Sequence, residues 1–169
     1  MTRILGIDPG SQRTGVGVID VADNGALVHV WHGALVVGGE ATFPLRLKRI
    51  FDELCDIIAT HQPAECGIER VFMARNPDSA LKLGQARGAA ICGTADANAV
   101  VFEYATRQIK QAVVGSGSAE KAQVQLMMKS ILKLDGPLSP DAADALAAAV
   151  CHALRGRVRV SVLRSASRG

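Results

Sequence analysis

The chain has 169 residues and a formal net charge of +3, with 49% apolar, 21% charged and only 4% aromatic side chains. That size suits one domain whose core needs no disulfide staple. No apolar run reaches the roughly 20 residues of a membrane span, and the start lacks the charged, apolar and small-residue succession of a signal peptide. A cytoplasmic location without a membrane partner is therefore expected. Cys55, Cys66, Cys92 and Cys151 form no CxxC pair and no zinc spacing with histidine, which predicts buried reduced thiols.

Residues 3–8 read as a buried strand. Thr14 to Asp20 alternates Gly with Val and reads as its hairpin partner; after the Asp23-Asn24-Gly25 turn, Ala26 to Val37 is a third strand. Short turns between consecutive strands imply an antiparallel meander. The period then changes. Leu47, Ile50, Phe51, Leu54 and Ile58 mark one face of an amphipathic helix that ends before Pro63. Glu65 to Glu69 is a short buried strand.

Pro77 to about Asn98 reads as a helix rich in small residues, among them Ala80, Gly84, Gly88 and Gly93, which predicts close approach by another backbone. Ala99 to Tyr104 is a strand. Helices follow at 105–113 and 119–133, separated by Gly115-Ser116-Gly117-Ser118. Ser139 and Pro140 start a last helix that is expected to end near Leu154. Residues 1–155 read as one domain and 156–169 as a basic tail, in which Arg157 to Ser161-Val162 alternates like a short strand.

Charge is unevenly placed. Residues 70–87 carry a net +3, residues 104–133 a net +4, and residues 155–169 five arginines and no acid. A basic surface beside an acidic site suits a polyanion held over metal ions, and solvated helix faces with a basic tail give the same count.

The acids carry the chemistry. Asp8 ends the apolar run Ile4-Leu5-Gly6-Ile7, Glu69 ends Cys66-Gly67-Ile68, and Asp141 and Asp144 stand three apart near the start of the last helix. Singly, each has a bland explanation: a turn before Pro9-Gly10, an ion-paired strand end, or acids favoured by a helix dipole. Together they converge, because Asp8 and Glu69 end neighbouring strands and an i, i+3 pair shares one helical face. Two carboxylates about 4 Å apart repel by roughly 4 kcal/mol at an effective dielectric near 20. Four would require cations, and oxygen-only ligands select Mg²⁺ or Mn²⁺ over zinc. Two such ions suit phosphodiester hydrolysis. His29, His32, His61 and His152 show no ligand spacing and read as surface or locally bonded residues.

Five blocks carry a resemblance: Gly6-Ile7-Asp8-Pro9-Gly10-Ser11, Glu69 to Asn76, Ala80 to Gly88, Val113-Val114-Gly115 with Ala119-Glu120-Lys121, and Asp141 to Leu146. In order and spacing they resemble the RuvC family of bacterial Holliday-junction resolvases over roughly residues 3–153. The resemblance implies a ribonuclease-H-like α/β fold, with a five-stranded mixed sheet of three antiparallel and two parallel strands flanked by helices. It implies a homodimer that cuts opposed strands of a four-way DNA junction in recombination and repair, with RuvA and RuvB as partners. It assigns catalysis and Mg²⁺ binding to Asp8, Glu69, Asp141 and Asp144, with two ions per site and Mn²⁺ as a substitute. Some family members carry histidine where this chain has Asp141. The resemblance also points to Lys110 and Lys121 as DNA contacts and to Phe72 as an aromatic that stacks on junction bases.

Three further DNA contacts are expected from position. Arg75 flanks Phe72, and Gly115 and Ser116 belong to a loop before a helix start, where N–H groups can bind phosphate. A nucleotide-binding ATPase of the actin and sugar-kinase type shares the Asp8-Pro9-Gly10 hairpin but needs a second similar domain, for which 169 residues leave no room. A junction-binding protein without nuclease activity would have no need of all four acids.

Overall fold

The computed structural model describes residues 1–70, 76–96 and 99–166, with side chains as far as 156. Strands β1 (Thr2–Asp8), β2 (Arg13–Val21), β3 (Leu27–Val36), β4 (Glu65–Arg70) and β5 (Val100–Ala105) form one sheet in the order β3-β2-β1-β4-β5. β1 pairs antiparallel with β2, and β2 with β3. β4 runs parallel to β1, and β5 parallel to β4. This is the expected mixed sheet. The helices are α1 (Phe43–His61), α2 (Pro77–Asp96), α3 (Thr106–Val114), α4 (Lys121–Leu132) and α5 (Pro140–Ala166).

Alternation along the strands sorts side chains into two cores. Leu5, Ile7, Val16, Val18 and Ile68 meet Ile50, Leu54 and Ile58 of α1 on one face. Ile4 and Ile19 meet α3, α4 and α5 on the other. α1 starts at a Thr42 cap, whose hydroxyl accepts from the Leu45 N–H at 3.5 Å, and closes through Gln62 in the left-handed region just before Pro63.

α5 lies unusually deep on its face of the sheet. A Cβ on Gly6 would stand 2.0 Å from the Ala145 carbonyl oxygen, and one on Gly15 2.0 Å from that of Asp141. One on Gly67 would stand 2.8 Å from the Ala148 carbonyl oxygen. The helix answers with alanines, Ala142, Ala143, Ala145, Ala147, Ala148 and Ala149, all buried. The close backbone approach expected at the small residues of α2 is thus realised chiefly here. In α2, Gly93 packs on the Phe51 carbonyl of α1, whereas Gly84 and Gly88 face open space.

Two local expectations change. The last helix does not stop near Leu154; it crosses the expected boundary at 155/156 and continues to Ala166. Helix satisfies the backbone within the segment, whereas a short strand at Arg157–Val162 would need a sheet edge to pair with. On β3, a register shift opposite Val18 and Ile19 leaves Val30 as an extra residue. It brings His29 and His32 to one face, where their ring nitrogens meet at 2.8 Å.

Candidate active site

The four acids come from three elements that the packing of α5 forces together. β1 and β4 run side by side, with Ile7 opposite Ile68, so Asp8 and Glu69 are the next pair along. Both point to the α5 face, because Leu5, Ile7, Cys66 and Ile68 point to the other. The Ser139 hydroxyl accepts from the Ala142 N–H at 3.3 Å and starts α5, setting Asp141 in the first turn and Asp144 one turn later. The absence of a side chain at Gly6 and Gly15 lets that turn settle against the strand ends.

Electrostatics record the convergence. Burial pushes the Asp8 carboxyl up to about 8, and the charges of Glu69 and Asp144 add to the shift. Asp8 and Glu69 also share a hydrogen bond. Burial likewise raises Asp144, with Lys121 opposing. The ammonium of Lys121, at the first residue of α4, stands 3.4 Å from Asp144 Oδ2. The Asp144 charge holds the Lys121 ammonium above the usual lysine range, and Asp8 and Asp141 contribute.

The outer acids have partners that the sequence did not announce. Arg13 Nε donates to Asp141 Oδ2 at 2.9 Å. The Thr106 hydroxyl, at the start of α3, donates to Glu69 Oε1. Arg13 was legible in part, because it lies two residues from Gly15 and so on the same face of β2. Thr106 had no such marker. No three His, Cys, Asp or Glu side chains among the described residues stand as a ready metal cage. The donor set nevertheless fits a hard divalent cation: it is carboxylate oxygen throughout, and its crowded charges raise Asp8 and Asp144.

The expected DNA contacts fare unequally. Lys110 lies half-buried on α3, four residues after Thr106 and so on the helical face that reaches Glu69. Gly115 closes α3 at φ 82°, and its N–H donates to the Gln111 carbonyl at 3.1 Å, so that donor is spent in the fold. Ser116 is exposed, and its hydroxyl pairs with that of Ser118 at 3.0 Å. Phe72 and Arg75 lie outside the described residues. The described cations of 70–87 are ion-paired, but the shared Glu103 offsets only one charge of the segment's net +3. Arg70 and Arg87 both reach Glu103, at 3.3 and 2.7 Å, and Lys82 reaches Asp78 at 2.7 Å.

A second polar cluster lies further along α5. His152, read from sequence as a surface or locally bonded residue, is 4% exposed. One ring nitrogen meets the Tyr104 hydroxyl at 2.7 Å, the other Glu65 Oε2 at 2.7 Å, and Phe102 stacks on the ring at 4.5 Å.

This arrangement of sheet and helices has close counterparts. The chain is 57% identical to the Crossover junction endodeoxyribonuclease RuvC of Xanthomonas campestris pv. campestris (strain B100), over 90% of this chain and 88% of the relative. The solved structure of Thermus thermophilus RuvC superposes with a TM-score of 0.83 at 31% identity, covering 93% of this chain and 96% of that one. A second structure, T. thermophilus RuvC in complex with Holliday junction substrate, gives the same TM-score at 28% identity and the same coverage. The family profile described as Crossover junction endodeoxyribonuclease RuvC matches residues 4–152, a span that runs from the strand before Asp8 to His152 and takes in all four acids, and the chain belongs to that family.

Proposed function

We propose that this chain resolves four-way DNA junctions by Mg²⁺-dependent cleavage of two opposed strands, as an endodeoxyribonuclease of recombination and repair. The observation that carries the reading is the convergence of Asp8 and Glu69 at parallel strand ends with Asp144 from α5. Relatives named for crossover-junction cleavage, one of them solved with a Holliday junction, support the substrate.

Asp8, Glu69, Asp141 and Asp144 would hold the cations, two per site, with Mn²⁺ as a substitute. Such ions supply an activated water and stabilise the leaving oxygen in phosphodiester hydrolysis. The chain's own residues do the rest. Lys121 balances Asp144 and stands ready to offset charge on a bound phosphate. Lys110 adds a second cation on the same side of α3. Phe72 and Arg75 are assigned to junction bases and backbone by resemblance and position. Ser116 offers a hydroxyl to phosphate, while Gly115 contributes the turn that presents it.

A four-way junction presents two equivalent strands, which suits a two-fold dimer. α2 is the face proposed for it. Leu81 is 68% exposed, and Gly84 and Gly88 have no neighbour within 4 Å. Leu81→Glu should give monomers in sedimentation and unpaired nicks; an unchanged dimer would move the interface elsewhere. RuvA and RuvB are proposed partners on the family's authority. No described helix is long and apolar enough to cross a membrane. Cys55, Cys66, Cys92 and Cys151 are free, which fits the reducing cytoplasm, but only Cys66 and Cys151 are buried; Cys55 is half-buried and Cys92 exposed.

The test is a labelled synthetic junction incubated with Mg²⁺ and then with EDTA. Symmetric nicks only with Mg²⁺ support the resolvase. Binding without nicks would select a junction-binding protein instead.

A further inference from the structure

We propose that Arg13 is a resident counter-ion of the acidic site, holding Asp141 in the DNA-free protein and exchanging it for a DNA phosphate when a divalent cation loads. The idea rests on the metal reading above.

The observations concern who balances which acid. Lys121 of α4 balances Asp144 at 3.4 Å, and Arg13 of β2 balances Asp141 at 2.9 Å. Asp8 and Glu69 face each other, and among the described residues the Thr106 hydroxyl donates to Glu69 Oε1. The two helical acids thus pair directly with protein cations, while at Asp8 burial and the charges of Glu69 and Asp144 outweigh the opposing charge of Lys121. Arg13 is built into that position. The start of β2 is pressed against the first turn of α5 at Gly15, and Arg13 projects from the same face two residues earlier.

A guanidinium on Asp141 Oδ2 occupies an oxygen that a hard cation would use. The two positive charges also repel, so loading is easiest when Arg13 leaves. The Arg13 side chain is 51% exposed and Asp141 29%, so the exchange exposes little new surface. A freed guanidinium is a natural partner for a phosphodiester, which it binds with the geometry it uses for a carboxylate. Arg13 would therefore couple metal loading to DNA binding. By linkage, each ligand then raises the affinity for the other by the same factor.

The test uses the full-length protein and two readouts apart from cleavage. Mn²⁺ binding to DNA-free protein is titrated by electron paramagnetic resonance for wild type, Arg13→Gln and Arg13→Lys. Arg13→Gln should bind Mn²⁺ about two- to fivefold more tightly, the range expected for losing a half-exposed ion pair. Arg13→Lys should stay nearer wild type. In Ca²⁺, the salt dependence of junction binding should fall by about one unit for Arg13→Gln. Unchanged or weaker Mn²⁺ binding by Arg13→Gln, an unchanged salt slope, or identical behaviour of the two variants would overturn the proposal. Wild type that binds no Mn²⁺ would instead sink the metal reading, and the role of Arg13 with it.

Discussion

β4 and α5 build two polar clusters from the same pair of elements, and the two have opposite characters. Glu65 and Glu69 lie four residues apart on one face of β4; Asp144 and His152 lie eight apart on α5, roughly 12 Å along the helix. At Glu65 the polar groups are satisfied. The acid meets His152, and His152 meets Tyr104. At Glu69 the acid has hydrogen-bond partners in Thr106 and Asp8 but, among the described residues, no directly paired cation. Carboxylate faces carboxylate, and burial with like charge drives Asp8 up to about 8. A satisfied buried network pins a fold. One short of cations stores repulsion that a ligand can relieve, and this is how perturbed groups mark functional sites. The scaffold is common to both; only the count of matching partners differs.

The sharpest way to break this comparison is Asp8→Asn. Cleavage of a junction in Mg²⁺ should fall by at least about a hundredfold, while binding in Ca²⁺ persists. A substantially active variant would end the assignment. Stability should move the other way. Between the usual 3.8 and about 8, folded Asp8 keeps a proton that the unfolded chain releases. The folded state therefore binds more protons in that window, and metal-free wild type loses stability as pH rises through it. Asp8→Asn should show a weaker decline, the part left to the raised Asp144, and added Mg²⁺ should restore wild type. Thermal melts across that pH range, with and without Mg²⁺, read both effects.

Gly6→Ala tests what the clusters share. Its methyl would meet the Ala145 carbonyl, so α5 must shift. Overpacking of this kind costs roughly 1–3 kcal/mol or more, and cleavage should fall with stability. A variant as stable and active as wild type would mean that the close approach is dispensable. His152→Ala should then separate the clusters. Removing the ring that bridges Tyr104 and Glu65 costs about 1–3 kcal/mol in urea unfolding, while nicking per folded molecule stays near wild type. Loss of nicking without loss of stability would erase the distinction. The smallest effect belongs to Thr106→Val, which removes the donor to Glu69, a contact worth about 1 kcal/mol. Cleavage should weaken several-fold at limiting Mg²⁺ and recover at high Mg²⁺, with Thr106→Ser near wild type. An unaltered Mg²⁺ dependence would leave that hydroxyl without a role.

The acids, strands and helix order were readable because they follow from short rules. Apolar runs ending in Asp8 and Glu69 mark strand ends, and spacing alone puts Asp141 and Asp144 on one face. What was not readable depends on side chains crossing between distant segments. Thr106 meets Glu69 and Arg13 meets Asp141 only through tertiary packing. His152 stands in a run of Ala, Val and Cys, which in hindsight marks burial, but its partners come from 87 and 48 residues away. The glycines of α2 drew attention because helices tolerate glycine poorly; the tighter contact fell to glycines in strands, whose alternation with valine marks a strand but not what packs on it. The end of α5 was misplaced because Gly156 looks like a stop, although a helix can pass through a glycine at modest cost.

The bare faces of β1, β2 and β4 bear on anyone who would engineer this protein. Replacing glycine with alanine is a standard route to heat tolerance, because it narrows the unfolded ensemble. Gly84 and Gly88, in a helix with open space around them, are reasonable targets if the α2 face is not needed for assembly. Gly6, Gly15 and Gly67 are not, since each holds open the gap through which α5 delivers its acids. A library that treats all glycines alike would select against the enzyme while appearing to select for robustness.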